Sequence, residues 1–298
     1  MKPKIDLNHP LTKIGIELSQ RSSIRALEAK QTVESAVIPI YGFRKRKAHQ
    51  RKPPKAEQIA SGVLVKIKDE YFVFSATHVF WDFEDKALIT GPMNGNLTEQ
   101  IAGERFSTGN LEDPKADKYD ASVYHIQSKL SDDLKSLAIG LEQFDFTGID
   151  KFKNVFLAAG FRVKKSNTVG QNVYSKREAF PTFEFDEKDY KIYGIDFNSQ
   201  ILLAWEDQVL VNENWQTSPV PKGLSGGAII KVKGTNLLPV KKAEEKVEQK
   251  LSAITIEQHR KKGNKIGHLI GTRINVHLGL IHQFLPGLLD DFLKRMNE

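Results

Sequence analysis

Gly223-Leu224-Ser225-Gly226-Gly227, running into the apolar Ala228-Ile229-Ile230, is the stretch on which the reading of this 298-residue chain turns. A serine set between small residues just ahead of a strand-like run suits a nucleophile displayed on a tight turn. A hydroxyl that attacks a carbonyl needs backbone N–H groups aimed at the developing oxyanion, and glycines let the main chain come close enough to supply them. Gly223 and Ser225 are the donors this spacing offers. The same pentapeptide also suits an ordinary loop between strands, so the reading depends on a base and an acid elsewhere.

Of the eight histidines, His78 has the context of a base: it follows the strand-like run Tyr71-Phe72-Val73-Phe74-Ser75-Ala76-Thr77, which breaks into small residues just before the imidazole. The competing reading is a core histidine after a buried strand. The other histidines have weaker contexts. His49 lies in a basic loop and His9 near the first residue; His125 and His268 fall in strand-like runs; His259 falls in a stretch read as charged helix; His277 and His282 fall on a terminal helix. For the acid, Asp120 follows a polar loop and opens Ala121-Ser122-Val123-Tyr124-His125-Ile126, a half-buried strand pattern. A carboxylate there needs a partner, and an imidazole N–H would both compensate its burial and set the base's tautomer.

His78, Asp120 and Ser225, in that order and each in its local context, resemble the trypsin/chymotrypsin-like serine peptidases, particularly the cysteine-free bacterial Deg-like relatives. Ser75-Ala76-Thr77-His78-Val79 is similar to the family's Thr-Ala-Ala-His-Val, and Ala60-Ser61-Gly62-Val63 to its Gly-Ser-Gly strand. Asp120-Ala121-Ser122-Val123 is similar to Asp-Leu-Ala-Leu, and Ala159-Gly160-Phe161 to the strand ending in Gly-Tyr/Phe-Pro, with Arg162 in place of the usual proline. The run at 266–274 is similar to the family's strand beside the substrate cleft. The resemblance spans residues 34–285.

It implies an all-β fold of two six-stranded antiparallel barrels, the first over about 34–130 and the second over about 150–280. It also implies a serine endopeptidase whose catalytic residues are His78, Asp120 and Ser225, with an oxyanion hole at Gly223 and Ser225. Leu224 stands where activated zymogens carry an aspartate that pairs with a new N-terminus, so activation by that ion pair is not expected. Thr217-Ser218-Pro219-Val220-Pro221 lacks the acid that selects Lys or Arg in the trypsin branch, which points to an apolar or small residue before the scissile bond. Pro219, Ile274, Asn275 and Val276 are the tentative cleft residues.

Around this domain the pattern predicts a helical extension over 1–33, a helical insertion over 238–265 with i,i+4 charge pairs, and a C-terminal helix over 276–298 interrupted near Pro286-Gly287. The chain has no cysteine, so no disulfide framework is expected. It has no apolar run of signal-peptide or membrane-span length in its first twenty residues or later, and the expectation is a cytoplasmic protein without a membrane partner. The net charge of +7 is concentrated in a basic run at 44–55. That run could grip nucleic-acid phosphates, but no aromatic or recognition-helix pattern accompanies it, and a solvated loop between the first two strands is the favoured reading. No metal constellation is read, since His277 and His282 are wrongly spaced for shared ligation, and a serine mechanism needs no cofactor. The partner is a protein or peptide substrate, and a single dedicated protein is among the candidates. The same residues also fit a peptidase fold that binds a peptide without cleaving it, or one that stays shut until a partner opens it.

Overall fold

Six strands close into a barrel in the first half of the chain. They are β1 (Val37–Phe43), β2 (Ala56–Ile67), β3 (Glu70–Ala76), β4 (Ala87–Thr90), β5 (Glu99–Ser107) and β6 (Ala121–Ile126), hydrogen-bonded in the order β1-β2-β3-β6-β5-β4 with β4 returning to β1. The computed structural model describes residues 9–43, 56–80, 87–90, 98–109, 116–147, 154–169, 172–211, 214–235, 247–263 and 265–296; the basic run at 44–55 lies outside them. Strand β3 forms because every residue from Phe72 to Ala76 is buried, and it pairs with β2 through a two-residue turn, Lys68 taking φ 53.

The second half contributes β7 (Val155–Val169), β8 (Asn172–Thr182), β9 (Gln200–Ala204), the separate ribbon of β10 (Gln208–Val211) and β11 (Asn214–Thr217), then β12 (Ala228–Lys233), β13 (Glu248–His259) and β14 (His268–Arg273). Six of these form an antiparallel sheet ordered β8-β7-β12-β13-β14-β9. Here the expectation of two closed barrels needs correction, because this second sheet is open. Its edges approach without forming a ladder: past Pro181, the chain meets β9 only through Ala204 N to Phe183 O (2.9 Å), Phe185 N to Leu202 O (3.0 Å) and neighbouring side-chain contacts. The chain then leaves the sheet for a helix, so no continuous ladder can develop.

The helices are α1 (Pro10–Leu27), α2 (Thr32–Ser35), α3 (Asp132–Leu137), α4 (Glu187–Tyr193), α5 (Ile274–Phe284) and α6 (Asp290–Met296). The expected N-terminal helix is α1, which lies against β7 and β8. The interrupted C-terminal helix is α5 followed by α6, with Gly287 at φ 89 between them. The expected helical insertion is overturned in its described part: 238–246 lie outside the described residues, and 248–259 form β13. Strand β13 sits between β12 and β14, and Leu251 to Ile256 are all buried. A strand covered on both faces has no simple alternation, which is why its apolar residues read as a helical stripe beside a charged run.

Three apolar clusters place the site. One fills the first barrel with Ile38, Leu64, Val73 and Ile101 among others. One lines the second sheet with Phe156, Ile201, Leu224, Ile229 and Leu269. The third joins the two, with Phe72, Phe74 and Val123 meeting Leu157, Phe161, Ile230 and Ile254. Burying each side chain of this size is worth about 1.5–3 kcal/mol, so the third cluster fixes the two sheets against each other. Among the described residues, no helix is long and apolar enough to cross a membrane.

Candidate active site

His78 stands on a single 3-10 turn, Thr77–Phe80, immediately after β3. Its backbone N–H donates to Asp120 Oδ1 at 2.8 Å, and its ring Nδ1 lies 2.5 Å from Asp120 Oδ2. An ionised carboxylate only accepts, so Nδ1 carries the proton and the lone pair of the neutral ring lies on Nε2, the tautomer a general base requires. The imidazole is 38% exposed and the carboxylate 17%, so the ring faces solvent while the carboxylate lies behind it.

Asp120 is held in a conformation that residues other than glycine seldom adopt, φ 48. The local left-handed geometry costs about 1–2 kcal/mol and is maintained by neighbours on both sides. Thr77 N donates to Asp120 O at 2.9 Å, and Ala121 N to Thr108 Oγ1 at 2.9 Å. Asp117 accepts from Tyr119 N and from the Thr108 hydroxyl, while the Thr272 hydroxyl donates to Tyr119 O. Asp117, in the polar loop before Asp120, thus braces the segment that carries Asp120.

Ser225 occupies the turn between β11 and β12, half-buried, and the three glycines around it have no room for a side chain. Gly223 (φ 100) and Gly226 (φ 77) lie in the left-handed region. A Cβ on Gly226 would sit 2.1 Å from both Ser61 O and Ser75 Oγ, and one on Gly227 would sit 2.3 Å from Ala159 O. The turn is closed by Leu224 N to Pro221 O (2.8 Å) and Gly227 N to Leu224 O (2.7 Å), and is tied to β13 by Gly226 N to Thr255 O (2.8 Å). Among the described residues, neither the Gly223 N–H nor the Ser225 N–H donates to a protein acceptor. Leu224, 1% exposed, plugs the turn into the apolar cluster of the second sheet.

The Ser225 turn is linked through Ser61 of β2 to the strand that precedes His78. Ser61 N donates to Ser225 O at 2.9 Å, and Ser61 O accepts from the hydroxyl of Ser75, three residues before His78. Sequence reasoning gave Ser61 no role beyond its place in a strand motif. Arg162, in the position of the expected proline, binds Glu178 through two nitrogens at 2.5 and 2.8 Å, and this pairing holds the Glu178 carboxyl below the usual carboxylate range.

The tentative cleft residues fare less well. Ile274, Asn275 and Val276 form the first turn of α5, with Ile274 1% exposed. Ile274 and Asn275 line a cavity of about 200 Å³ with Asp145, Phe197 and Arg273, a lining that includes none of His78, Asp120 or Ser225. Strand β13 hydrogen-bonds to the serine turn, at Thr255. Pro219 lies half-buried in the segment leading to the turn. Of the remaining histidines, His125 pairs with Glu70 (2.8 Å), His259 ends β13 against Glu257 (3.1 Å), and His277 is wholly buried.

No protein-family model and no curated sequence matches the chain. Among solved structures, neuropsin, a serine protease expressed in the limbic system of mouse brain, matches with a TM-score of 0.51 and 14% identity, over 86% of this chain and 96% of its own. At that identity the likeness concerns the fold alone: this chain has the chymotrypsin-like arrangement of a closed six-stranded barrel beside a second antiparallel sheet.

Proposed function

We propose that the chain is a serine endopeptidase in which His78, Asp120 and Ser225 act as base, orienting acid and nucleophile. The observation that carries this reading is the Nδ1 to Oδ2 contact of 2.5 Å, which leaves Nε2 as the proton acceptor. Nε2 takes the Ser225 proton as Oγ attacks a peptide carbonyl, Asp120 stabilises the imidazolium, and the Gly223 and Ser225 N–H groups receive the oxyanion. The imidazolium then protonates the leaving amine, and water hydrolyses the acyl-enzyme by the same route. With Pro219 where a basic-selective pocket would carry an acid, the residue before the scissile bond is apolar or small.

A fluorophosphonate probe tests this directly. Wild type should be labelled, and Ser225→Ala and His78→Ala should lose labelling and peptide cleavage by about 10⁴-fold or more. Absence of labelling in wild type under every condition, with peptide binding retained, would instead assign the fold to peptide recognition.

A further inference from the structure

The Ser225 turn is fixed by more than its glycines. The Gly223 N–H belongs to the peptide whose carbonyl is Lys222 O, which accepts from Val163 N at 3.0 Å; the Ser225 N–H belongs to the peptide whose carbonyl is Leu224 O, which accepts from Gly227 N. Two further peptides, one between these and one just after, carry Gly223 O and Ser225 O. Ser61 holds both: its hydroxyl donates to Gly223 O at 2.8 Å and its amide to Ser225 O at 2.9 Å. The same hydroxyl accepts from Phe161 N at 2.8 Å, and Ser61 O accepts from Ser75 Oγ at 2.9 Å. Every polar group of this fully buried residue is therefore engaged: its amide and hydroxyl on the nucleophile turn, the hydroxyl also on β7, and its carbonyl on the strand that leads to His78.

We propose that Ser61 is a positioning residue for the oxyanion site and couples it to the base. The proposal rests on the peptidase reading above. Gly223 has no Cβ to restrain its peptides, so rotation there is cheap, and within the turn the peptide that carries Gly223 O is held only at its other end, by Leu224 N to Pro221 O. The Ser61 hydroxyl restrains the carbonyl end as a relay, receiving from Phe161 N and donating to Gly223 O, which only a side chain that both donates and accepts can do. An alanine would leave a buried N–H and a buried carbonyl without partners, and the Gly223 peptide would relax toward another acceptor. Donors aimed in advance at the oxyanion give their benefit in the transition state, so the loss should fall on chemistry and not on substrate binding.

The test compares wild type with Ser61→Ala and Ser61→Thr. In Ser61→Ala the fluorophosphonate labelling rate and the affinity for a peptide boronate should each fall by about 10- to 100-fold. Binding of an uncleaved peptide, measured in a Ser225→Ala background, should stay within about twofold, and the pH midpoint of labelling should not move. Amide hydrogen exchange across 222–227 should quicken by about tenfold or more while β6 is unchanged. Ser61→Thr, which keeps the hydroxyl, should recover most of both effects. Labelling and exchange like those of wild type in Ser61→Ala would overturn the proposal, as would slowed labelling with unchanged exchange at 222–227. If wild type is not labelled at all, the peptidase reading fails separately, and the exchange result still decides whether Ser61 holds the turn. If Ser61→Ala does not fold, Ser75→Ala carries the test, with faster exchange at 222–227 expected and wild-type exchange overturning the coupling.

Discussion

Asp120→Asn separates the chemistry of the acid from its structural part. An asparagine offers one oxygen and one NH2 where Asp120 offers two acceptors. If its oxygen keeps the bond from His78 N, its NH2 faces Nδ1 and must donate there, which puts the imidazole proton on Nε2. That nitrogen can then no longer take the serine proton. If the amide is turned over, the NH2 opposes the His78 backbone N–H, a donor against a donor at the 2.8 Å now bridged by Oδ1. Either way the base is lost, and the rate should fall by about 10⁴-fold, equivalent to about 5.5 kcal/mol of transition-state stabilisation. Folding should change little, because asparagine tolerates φ 48 about as well as aspartate does. The assay pairs the second-order labelling rate with thermal unfolding. Labelling within about tenfold of wild type, in a protein that unfolds at the same temperature, would refute the assignment of Asp120 as the orienting acid.

Gly226→Ala should cost about 3 kcal/mol in denaturant unfolding, from strain at φ 77 plus a Cβ driven into Ser61 O and Ser75 Oγ. Gly194→Ala, at φ 73 with nothing within 4 Å, should cost only about 1 kcal/mol, and equal losses would remove the steric argument. Burial lowers the His277 pKa to about 4 from 6.5, so the unfolded chain binds a proton that the folded one refuses over that interval. The neutral ring's stabilisation is therefore full above about pH 6.5 and lost as the pH falls to about 4, by about 3 kcal/mol. His277→Phe, keeping the stack on Phe74, should flatten that limb of a stability–pH curve, and an unchanged limb would show the group is not responsible. Lys231 and Asp145, each 2% exposed and 3.5 Å apart, form a buried pair, so Asp145→Leu should destabilise by about 3–5 kcal/mol. Adding Lys231→Met should recover most of that loss in the same unfolding assay, and no recovery would mean the pair is not the cause.

How much of this was legible in the sequence follows from how local each cause is. Strand β3 could be read because its burial is continuous from Phe72 to Ala76 and its boundaries are marked by Lys68-Asp69 and by the small residues before His78. The context of Asp120 could be read because a polar loop gives way to a strand-like run, which the structure buries at every residue from Ala121 to Tyr124 and not on one face only. Strand β13 could not, because its pattern depends on having β12 and β14 on either side. Closure of the second sheet was equally out of reach: it depends on how 182–185 meets β9, a contact between segments with a helix between them.

The site itself divides along the same line. The identities of His78, Asp120 and Ser225 are local facts, each carried by a few neighbouring residues. What holds them is not local: Ser61 reaches Phe161 and Gly223 across 100 and 162 positions, and Thr272 reaches Tyr119 across 153. Leu224 shows how the two levels meet. In the sequence it marks only the lack of an acid for an activating terminus. In the structure it is an apolar anchor, buried against Phe156, Ile229 and Leu269, and its burial is worth about 2 kcal/mol without reference to any chain end. A turn anchored by burial and by the Ser61 bonds takes its shape when the two sheets pack, so its conformation is tied to the fold of both halves.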